Sequence, residues 1–244
     1  MKAMIFAAGL GTRLKPITDT LPKALVPVGG RTLLEHVVTR LAEQGFDEQI
    51  INVHHHADQI IEFLREKKNF GIRIEISDER EMLLDTGGGI RKAAHFFSDG
   101  EPFLVHNVDI LSDADLRGLY ETHKEHGSDA TLLVKERETS RYLYFDEGKR
   151  LRGWKNLKTG EVKSPFSDFN PERNNKYAFS GIHVISPKIF TLMEHYPDKF
   201  PIMDFYIENA GRAEIRCHVN NQLKMIDVGK LDSLKEAEEH FSNL

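Results

Sequence analysis

Met4-Ile5-Phe6-Ala7-Ala8-Gly9-Leu10-Gly11-Thr12-Arg13-Leu14-Lys15-Pro16 opens the stretch that decides the fold, and it runs on through Pro22-Lys23 to Pro27-Val28. The apolar run Met4 to Ala8 reads as a buried strand. It stops at Gly9 and Gly11, whose freedom at positive φ permits a tight turn. Thr12, Arg13, Lys15 and Lys23 follow. A glycine turn leaving a strand and followed by cations has the physics of a polyphosphate cradle, because small residues let main-chain N–H groups approach an anion. Pro16, Pro22 and Pro27 cannot sit inside a helix, so a long stiffened loop is predicted here.

Two common phosphate motifs fail on the residues. No Gly-x-x-x-x-Gly-Lys-Ser/Thr run is present. The dinucleotide turn Gly-x-Gly-x-x-Gly also fails, because Leu14 stands at the third glycine and Pro16 follows it. A dinucleotide-dependent oxidoreductase is set aside with that pattern.

Outward from the loop, the pattern alternates. Leu33, Leu34, Val37, Val38 and Leu41 have helical spacing and end at Gly45. Residues 48–53 read as a strand, 57–67 as a helix and 72–76 as a strand. Strand, helix, strand, helix, strand is the rhythm of a parallel sheet covered by helices. Further strands are predicted at 102–109, 130–134, 177–186, 215–218 and 224–226. A hairpin is expected over 142–145 and 151–154, with helices at 113–126, 187–194 and 233–241. Residues 156–176 are polar, without periodicity, and read as a long loop. His54-His55-His56 reads as a strand end, since neighbouring side chains on a strand point to opposite faces and cannot converge on one ion.

Composition sets bounds. The 244 residues are 40% hydrophobic and 29% charged, ordinary for a globular protein with a sizeable core. A net charge of −5 argues against non-specific nucleic-acid binding. One cysteine, Cys217, leaves no intramolecular disulfide and no cysteine metal cluster. No apolar run is long enough to span a bilayer, and Lys2 leads at once into a core strand with no room for a signal peptide. A cytoplasmic protein without a membrane partner is expected.

Five further places invite a functional reading beside a bland one. Asp85-Thr86-Gly87-Gly88-Gly89 precedes a helical run; the triplet is either a turn at the helix start or bare backbone for a flat ring. Asp109 ends a strand after Asn107-Val108. Strand ends of parallel sheets face the ligand crevice, but read alone an aspartate there is more often a turn residue or helix cap. Lys155 is either a substrate contact or an exposed hairpin lysine. Ser180-Gly181 and Asp227-Val228-Gly229 complete the set.

Taken together, these motifs resemble the sugar-1-phosphate nucleotidyltransferases. That pattern is roughly Gly-x-Gly-Thr-Arg-x-x-Pro-x-Thr, then Pro-Lys-Pro and Pro-Val. Gly9, Gly11-Thr12-Arg13, Pro16, Thr18, Pro22-Lys23 and Pro27-Val28 match it. Ala8 stands where many members have glycine, Ala24 replaces a proline, Val108 replaces the glycine of Asn-Gly-Asp, and the Trp and Thr-Pro around Asp-Val-Gly are missing. The resemblance implies an α/β fold, with a mostly parallel Rossmann-like sheet, helices on both faces and an inserted β-hairpin region for the sugar. It implies a single domain over 1–244: residues 1–135 for the nucleotide, 136–226 for the sugar, 227–244 for a metal ligand and terminal helix.

The resemblance also implies roles. Ala8, Gly9, Gly11, Thr12, Arg13, Lys23, Thr86, Gly87 and Gly88 would bind the nucleotide, with Arg13 and Lys23 catalytic. Asn107, Lys155, Ser180 and Gly181 would hold the sugar phosphate, and Asp109 and Asp227 would bind Mg²⁺. The partners would be a nucleoside triphosphate and a sugar-1-phosphate, in nucleotide-sugar biosynthesis for cell-envelope polysaccharide. UTP is the expected nucleotide, because the short chain and the Thr86–Ile90 run resemble the uridylyltransferases; GTP with a heptose- or mannose-1-phosphate is the alternative. A module that binds a nucleotide sugar without turnover is the competing class, and the retained Arg13, Lys23, Asp109 and Asp227 argue for the enzyme.

Overall fold

The computed structural model describes residues 1–241. In chain order the strands are β1 (Lys2–Phe6), β2 (Pro27–Val28), β3 (Arg31–Thr32), β4 (Glu48–Val53), β5 (Arg73–Asp78), β6 (Phe103–Asn107), β7 (Ile110–Ser112), β8 (Ala130–Lys135), β9 (Arg141–Phe145), β10 (Leu151–Asn156), β11 (Val162–Lys163), β12 (Asn175–Ile185), β13 (Ile215–Val219) and β14 (Met225–Asp227). The helices are α1 (Leu33–Glu43), α2 (Ala57–Glu66), α3 (Asp85–Lys92), α4 (Leu116–His126), α5 (Phe190–Met193), α6 (Ile202–Asn209) and α7 (Leu231–Phe241). The expected mixed α/β fold is present. Among the described residues no helix is long and apolar enough to cross a membrane.

Two compact units form. One comprises Met1–Leu84, Val105–Arg117 and the segment from Lys224; the other comprises Asp85–Leu104 and Gly118–Leu223. In the first, the sheet runs β6-β1-β4-β5. β1 pairs parallel with β4, setting Met4 against Ile50, and β4 pairs parallel with β5, setting Ile51 against Ile76. Ala3, Met4, Ile5, Ile50 and Ile51 are fully buried, as a sheet covered on both faces requires. α1 starts where Thr32 Oγ1 accepts from Glu35 N at 3.1 Å, an N-cap that satisfies one orphan donor. Its stripe of Leu33, Leu34, Val37, Val38 and Leu41 is buried. Gln49 is buried among these apolar groups and donates from Nε2 to Val38 O and Phe46 O, at 3.1 and 2.9 Å.

The predicted stiff loop after β1 is a loop, folded into short 3₁₀ turns at Thr12–Leu14, Ile17–Asp19 and Lys23–Leu25. The small β2–β3 hairpin and the three-residue β7 are additions that periodicity does not signal, since each is too short to show a repeat. β7 pairs antiparallel with β14, with Ile110 opposite Asp227.

In the second unit the strand order is β11-β10-β9-β12, with β8 between β12 and β13. The β9–β10 hairpin is where the acidic-glycine turn predicts it. β12 is bulged against β8: Phe179 faces Val134 and His183 faces Leu132, so Ser180, Gly181 and Ile182 oppose only Leu133. Phe97 and Phe103 stack with centroids 3.6 Å apart, and Tyr196, Phe200, Phe205 and Tyr206 form a second aromatic group. α6 was not anticipated; Ile202, Phe205, Tyr206 and Ile207 form its buried side.

α3 is the clearest difference from expectation. The glycine triplet lies inside the helix, not ahead of it. The reason is tertiary. Gly87 N and Gly88 N, which a helix start leaves without partners, both donate to Phe200 O at 2.8 and 3.3 Å. In return Ile202 N, in the first turn of α6, donates to Thr86 Oγ1 at 2.9 Å. Two helix starts cap one another, and no sequence pattern announces that.

Candidate active site

β1 hands the chain to Ala7 and Ala8, whose N–H groups both donate to Asn52 Oδ1, at 2.8 and 3.3 Å. Asn52 Nδ2 donates in turn to Glu79 Oε1 at 2.8 Å, and Glu79 Oε2 accepts from Leu84 N at 3.1 Å. Asn52 and Glu79 are 3% and 1% exposed. A buried amide–carboxylate pair thus anchors the start of the loop to the ends of β4 and β5; a buried polar pair that is fully bonded is rigid. Sequence reading missed both residues, although an asparagine inside the apolar run Gln49–Val53 was a usable signal.

The two loop glycines differ. Gly11 has φ +64°, and a Cβ there would lie 2.8 Å from Thr18 Cγ2 and 3.1 Å from Lys23 Cβ. Its carbonyl accepts from Thr18 Oγ1 and from Leu14 N, each at 2.8 Å. Gly11 therefore fixes the fold of the loop. A Cβ on Gly9 would meet open space, so nothing in the protein itself demands glycine there. Thr12 and Arg13 are exposed.

Lys23 is 9% exposed, and its ammonium donates to Asp109 Oδ2. Asp109 sits in the turn between β6 and β7. Val108 N donates to Phe6 O at 3.2 Å, which ties this turn to the end of β1. Val228 N donates to Asp109 O at 2.8 Å and Gly229 N to Asp227 O at 2.8 Å. The turn after β14, with Asp227, is thereby bonded to the turn that carries Asp109. A Cβ on Gly229 would lie 2.8 Å from Asp227 Oδ1 and 2.9 Å from Arg13 Nη2. Glycine at 229 is what lets the guanidinium and the carboxylate come this close. Arg13, Lys23, Asp109 and Asp227, from segments two hundred residues apart at the extremes, are gathered in one unit.

Asp109 and Asp227 suit a hard divalent cation. Both are oxygen donors, Asp109 is incompletely buried and Asp227 is exposed. Among the described residues no cluster of three or more metal-binding side chains occurs. Mg²⁺ takes one or two protein carboxylates and completes its shell from phosphates and water.

His106 precedes Asn107 on β6. It is buried, and that burial pushes its imidazole pKa down to about 4, so it is neutral at pH 7. Its Nδ1 donates to Asn107 O at 2.8 Å.

The remaining candidates belong to the second unit, apart from Asn107. Gly87 has no room for a side chain, because a Cβ would press into the Phe200 ring and stand 2.9 Å from Phe200 O. Ser180 is fully buried with no hydrogen-bond partner for its Oγ, and Gly181 has φ +74°; both lie in the β12 bulge. Lys155 is half-buried on β10, opposite Tyr142 of β9 and Val162 of β11.

Comparison with known proteins identifies the family. The family model described as Nucleotidyl transferase matches residues 2–243. An N-acetylmuramate α-1-phosphate uridylyltransferase of Neisseria meningitidis serogroup B is 35% identical over 196 residues, 80% of this chain and 79% of that protein. The one from Caulobacter vibrioides is 46% identical over 111 residues, covering 45% of this chain and 46% of its own length. A mannose-1-phosphate guanyltransferase of Aspergillus fumigatus is 39% identical over 145 residues, covering 58% of this chain and 40% of its own length. The match to these last two thus spans less than half of each relative. Among solved structures, a putative glucose-1-phosphate thymidylyltransferase from Bacillus anthracis superposes over 100% of this chain and 96% of its own, with a TM-score of 0.83 at 19% identity. That likeness establishes the fold alone.

Proposed function

We propose that this chain, which belongs to the nucleotidyl transferase family, transfers a nucleotidyl group from UTP to a sugar-1-phosphate, releasing pyrophosphate. The observation that carries the reading is the convergence of Arg13, Lys23, Asp109 and Asp227 around one glycine turn at the end of β1.

Both reactants are anions, so the protein must cancel charge and hold geometry. A sugar-phosphate oxygen attacks the α-phosphorus in line, and the bond to the pyrophosphate oxygen breaks. We assign Arg13, exposed at the loop, to the departing pyrophosphate. Lys23, packed against Gly11 and paired with Asp109, is assigned to the α-phosphate, where negative charge accumulates in the transition state. Mg²⁺ held by Asp109 and Asp227 would supply further neutralisation of the phosphates. The N–H groups of the Gly9–Thr12 turn take the triphosphate chain. The Thr86-Gly87-Gly88 stretch is assigned to the base, with its backbone held as a rigid edge by Phe200. Asn107, Lys155, Ser180 and Gly181 are assigned to the sugar phosphate; the unpartnered Ser180 hydroxyl supports that choice.

N-acetylmuramate α-1-phosphate is the favoured acceptor, because the Neisseria relative matches four-fifths of the chain. GTP with mannose-1-phosphate is the second reading, favoured by the Aspergillus relative. The reaction belongs in the cytoplasm, where nucleoside triphosphates are made, and its product would feed envelope polysaccharide. The test is pyrophosphate release with Mg²⁺, offering five nucleoside triphosphates against a panel of sugar-1-phosphates. Release with UTP and N-acetylmuramate α-1-phosphate is expected. Release with GTP and mannose-1-phosphate would select the second reading, and no release with any pair from folded protein would overturn both.

A further inference from the structure

Two successive main-chain donors at the end of β1, Ala7 N and Ala8 N, converge on one side-chain oxygen, Asn52 Oδ1. Successive N–H groups aimed at one point form an anion-binding hollow, and here an amide of the protein itself fills it. The N–H groups of Ala7 and Ala8 are thus committed, and a triphosphate is left those that follow.

Glu79, which receives the other end of that amide, is bonded at every polar atom. Its N donates to Val53 O at 2.8 Å, and its carbonyl accepts from His54 Nδ1 at 2.7 Å and from Met82 N at 3.1 Å. The first of the three consecutive histidines therefore braces this residue. Of the side-chain oxygens, Oε1 accepts from Asn52 Nδ2 and Oε2 from Leu84 N. The order of groups is fixed throughout. Two N–H donors can be met only by the amide oxygen, which turns the amide NH₂ toward Glu79, and Glu79 must then accept on both oxygens. Asn52 and Glu79 are both buried, where a donor or acceptor facing its own kind is costly.

We infer that Asn52 and Glu79 are positioning residues of the nucleotide site. They tie Ala8, where the triphosphate turn begins, to Leu84, the last residue before the Asp85-Thr86-Gly87-Gly88 stretch assigned to the base. Both are too buried to meet a ligand themselves and act through the backbone they hold. The inference rests on the nucleotide role given to those two segments.

A swap of the two side chains tests it. Glu79→Gln alone sets an NH₂ group against another donor, whichever way the new amide turns. Asn52→Asp alone sets two acceptors face to face. Made together they restore every partner: the introduced carboxylate accepts from Ala7 N, Ala8 N and the introduced amide, whose oxygen accepts from Leu84 N. UTP and GTP are titrated calorimetrically into the full chain, and the triphosphate that wild type binds more tightly is used for the variants, with thermal unfolding alongside. Each single variant is expected to raise the dissociation constant about tenfold, about 1.4 kcal/mol, and the double variant to return within about twofold of wild type. A role in folding alone would lower the melting temperature and leave the dissociation constant of the folded protein unchanged. Where a single variant fails to fold, Asn52→Ser, which keeps an oxygen but draws it back from both backbone donors, takes its place with the same loss expected. Unchanged affinity in a folded single variant or in Asn52→Ser, or a double variant no better than its singles in folding and affinity, would overturn the inference. Wild type that binds neither triphosphate would overturn it together with the proposed function. Tight wild-type binding with unchanged variants would overturn this inference alone, whatever pyrophosphate release shows.

Discussion

Two glycine-rich stretches carry nucleotide readings, and they are built on opposite principles. In the loop after β1, Gly11 sits at positive φ against Thr18 and Lys23, Arg13 is exposed, and Lys23 is paired with Asp109. In α3, the N–H groups of Gly87 and Gly88 are committed to Phe200, and the missing Cβ of Gly87 makes room for an aromatic ring of the protein itself. The same residue type serves chain reversal in one place and close packing in the other. On the proposed reading, loss of a cationic side chain from the loop should change chemistry, and gain of a side chain at Gly87 should change stability.

The largest expected effect sharpens the first half of that contrast. Arg13→Ala should lower turnover roughly a hundredfold, about 3 kcal/mol of transition-state stabilisation, with the melting temperature unchanged because the side chain is exposed. Steady-state kinetics beside thermal unfolding checks it, and an equal loss in both would place Arg13 in the scaffold.

Acid should act through the buried imidazoles, His106 in the first unit and His123 in the second. His123 is buried between Thr131 Oγ1 and Ser186 Oγ, each 2.9 Å away. Ser186 already donates to Ser128 O, so His123 Nε2 must donate to Ser186 and Nδ1 must accept from Thr131. Burial pushes this imidazole down to about 4 from 6.5. The unfolded chain therefore binds the proton first. The stability present above pH 6.5 is lost as pH falls toward 4, by about 3 kcal/mol. Denaturant titrations across that range should show the loss, and His123→Gln should flatten part of it.

Gly87→Ala should destabilise by about 1–3 kcal/mol, the range for overpacking, even though alanine is the better helix former. A stable Gly87→Ala protein would break the contrast on the α3 side. Smallest are the loop glycines. Gly11→Ala should cost about 1–2 kcal/mol, from its left-handed backbone and the Thr18 contact. Gly9→Ala should stay within about 0.5 kcal/mol of wild type and raise KM for the triphosphate. Differential scanning calorimetry of the pair separates them.

Much of the first unit was legible because its signals are local. β1, α1 and β4 follow from apolar runs and helical spacing, and the bounds of β4 agree residue for residue. Arg13, Lys23, Asp109 and Asp227 were readable as a set only through motif order. What was illegible is tertiary. The Asn52–Glu79 anchor, the reciprocal capping of α3 and α6, and the β7–β14 pairing each join residues whose partners are distant in sequence. Gly229 shows the limit well: its glycine is explained only when Arg13 and Asp227 are seen beside it.

The central claim is that the loop after β1, with Lys23 set against Asp109, performs nucleotidyl transfer. Its most direct test is the rate of Mg²⁺-dependent pyrophosphate release from UTP by Lys23→Ala and wild type, both confirmed folded. A loss of about a hundredfold or more with the fold retained is predicted; wild-type turnover by the variant would contradict it.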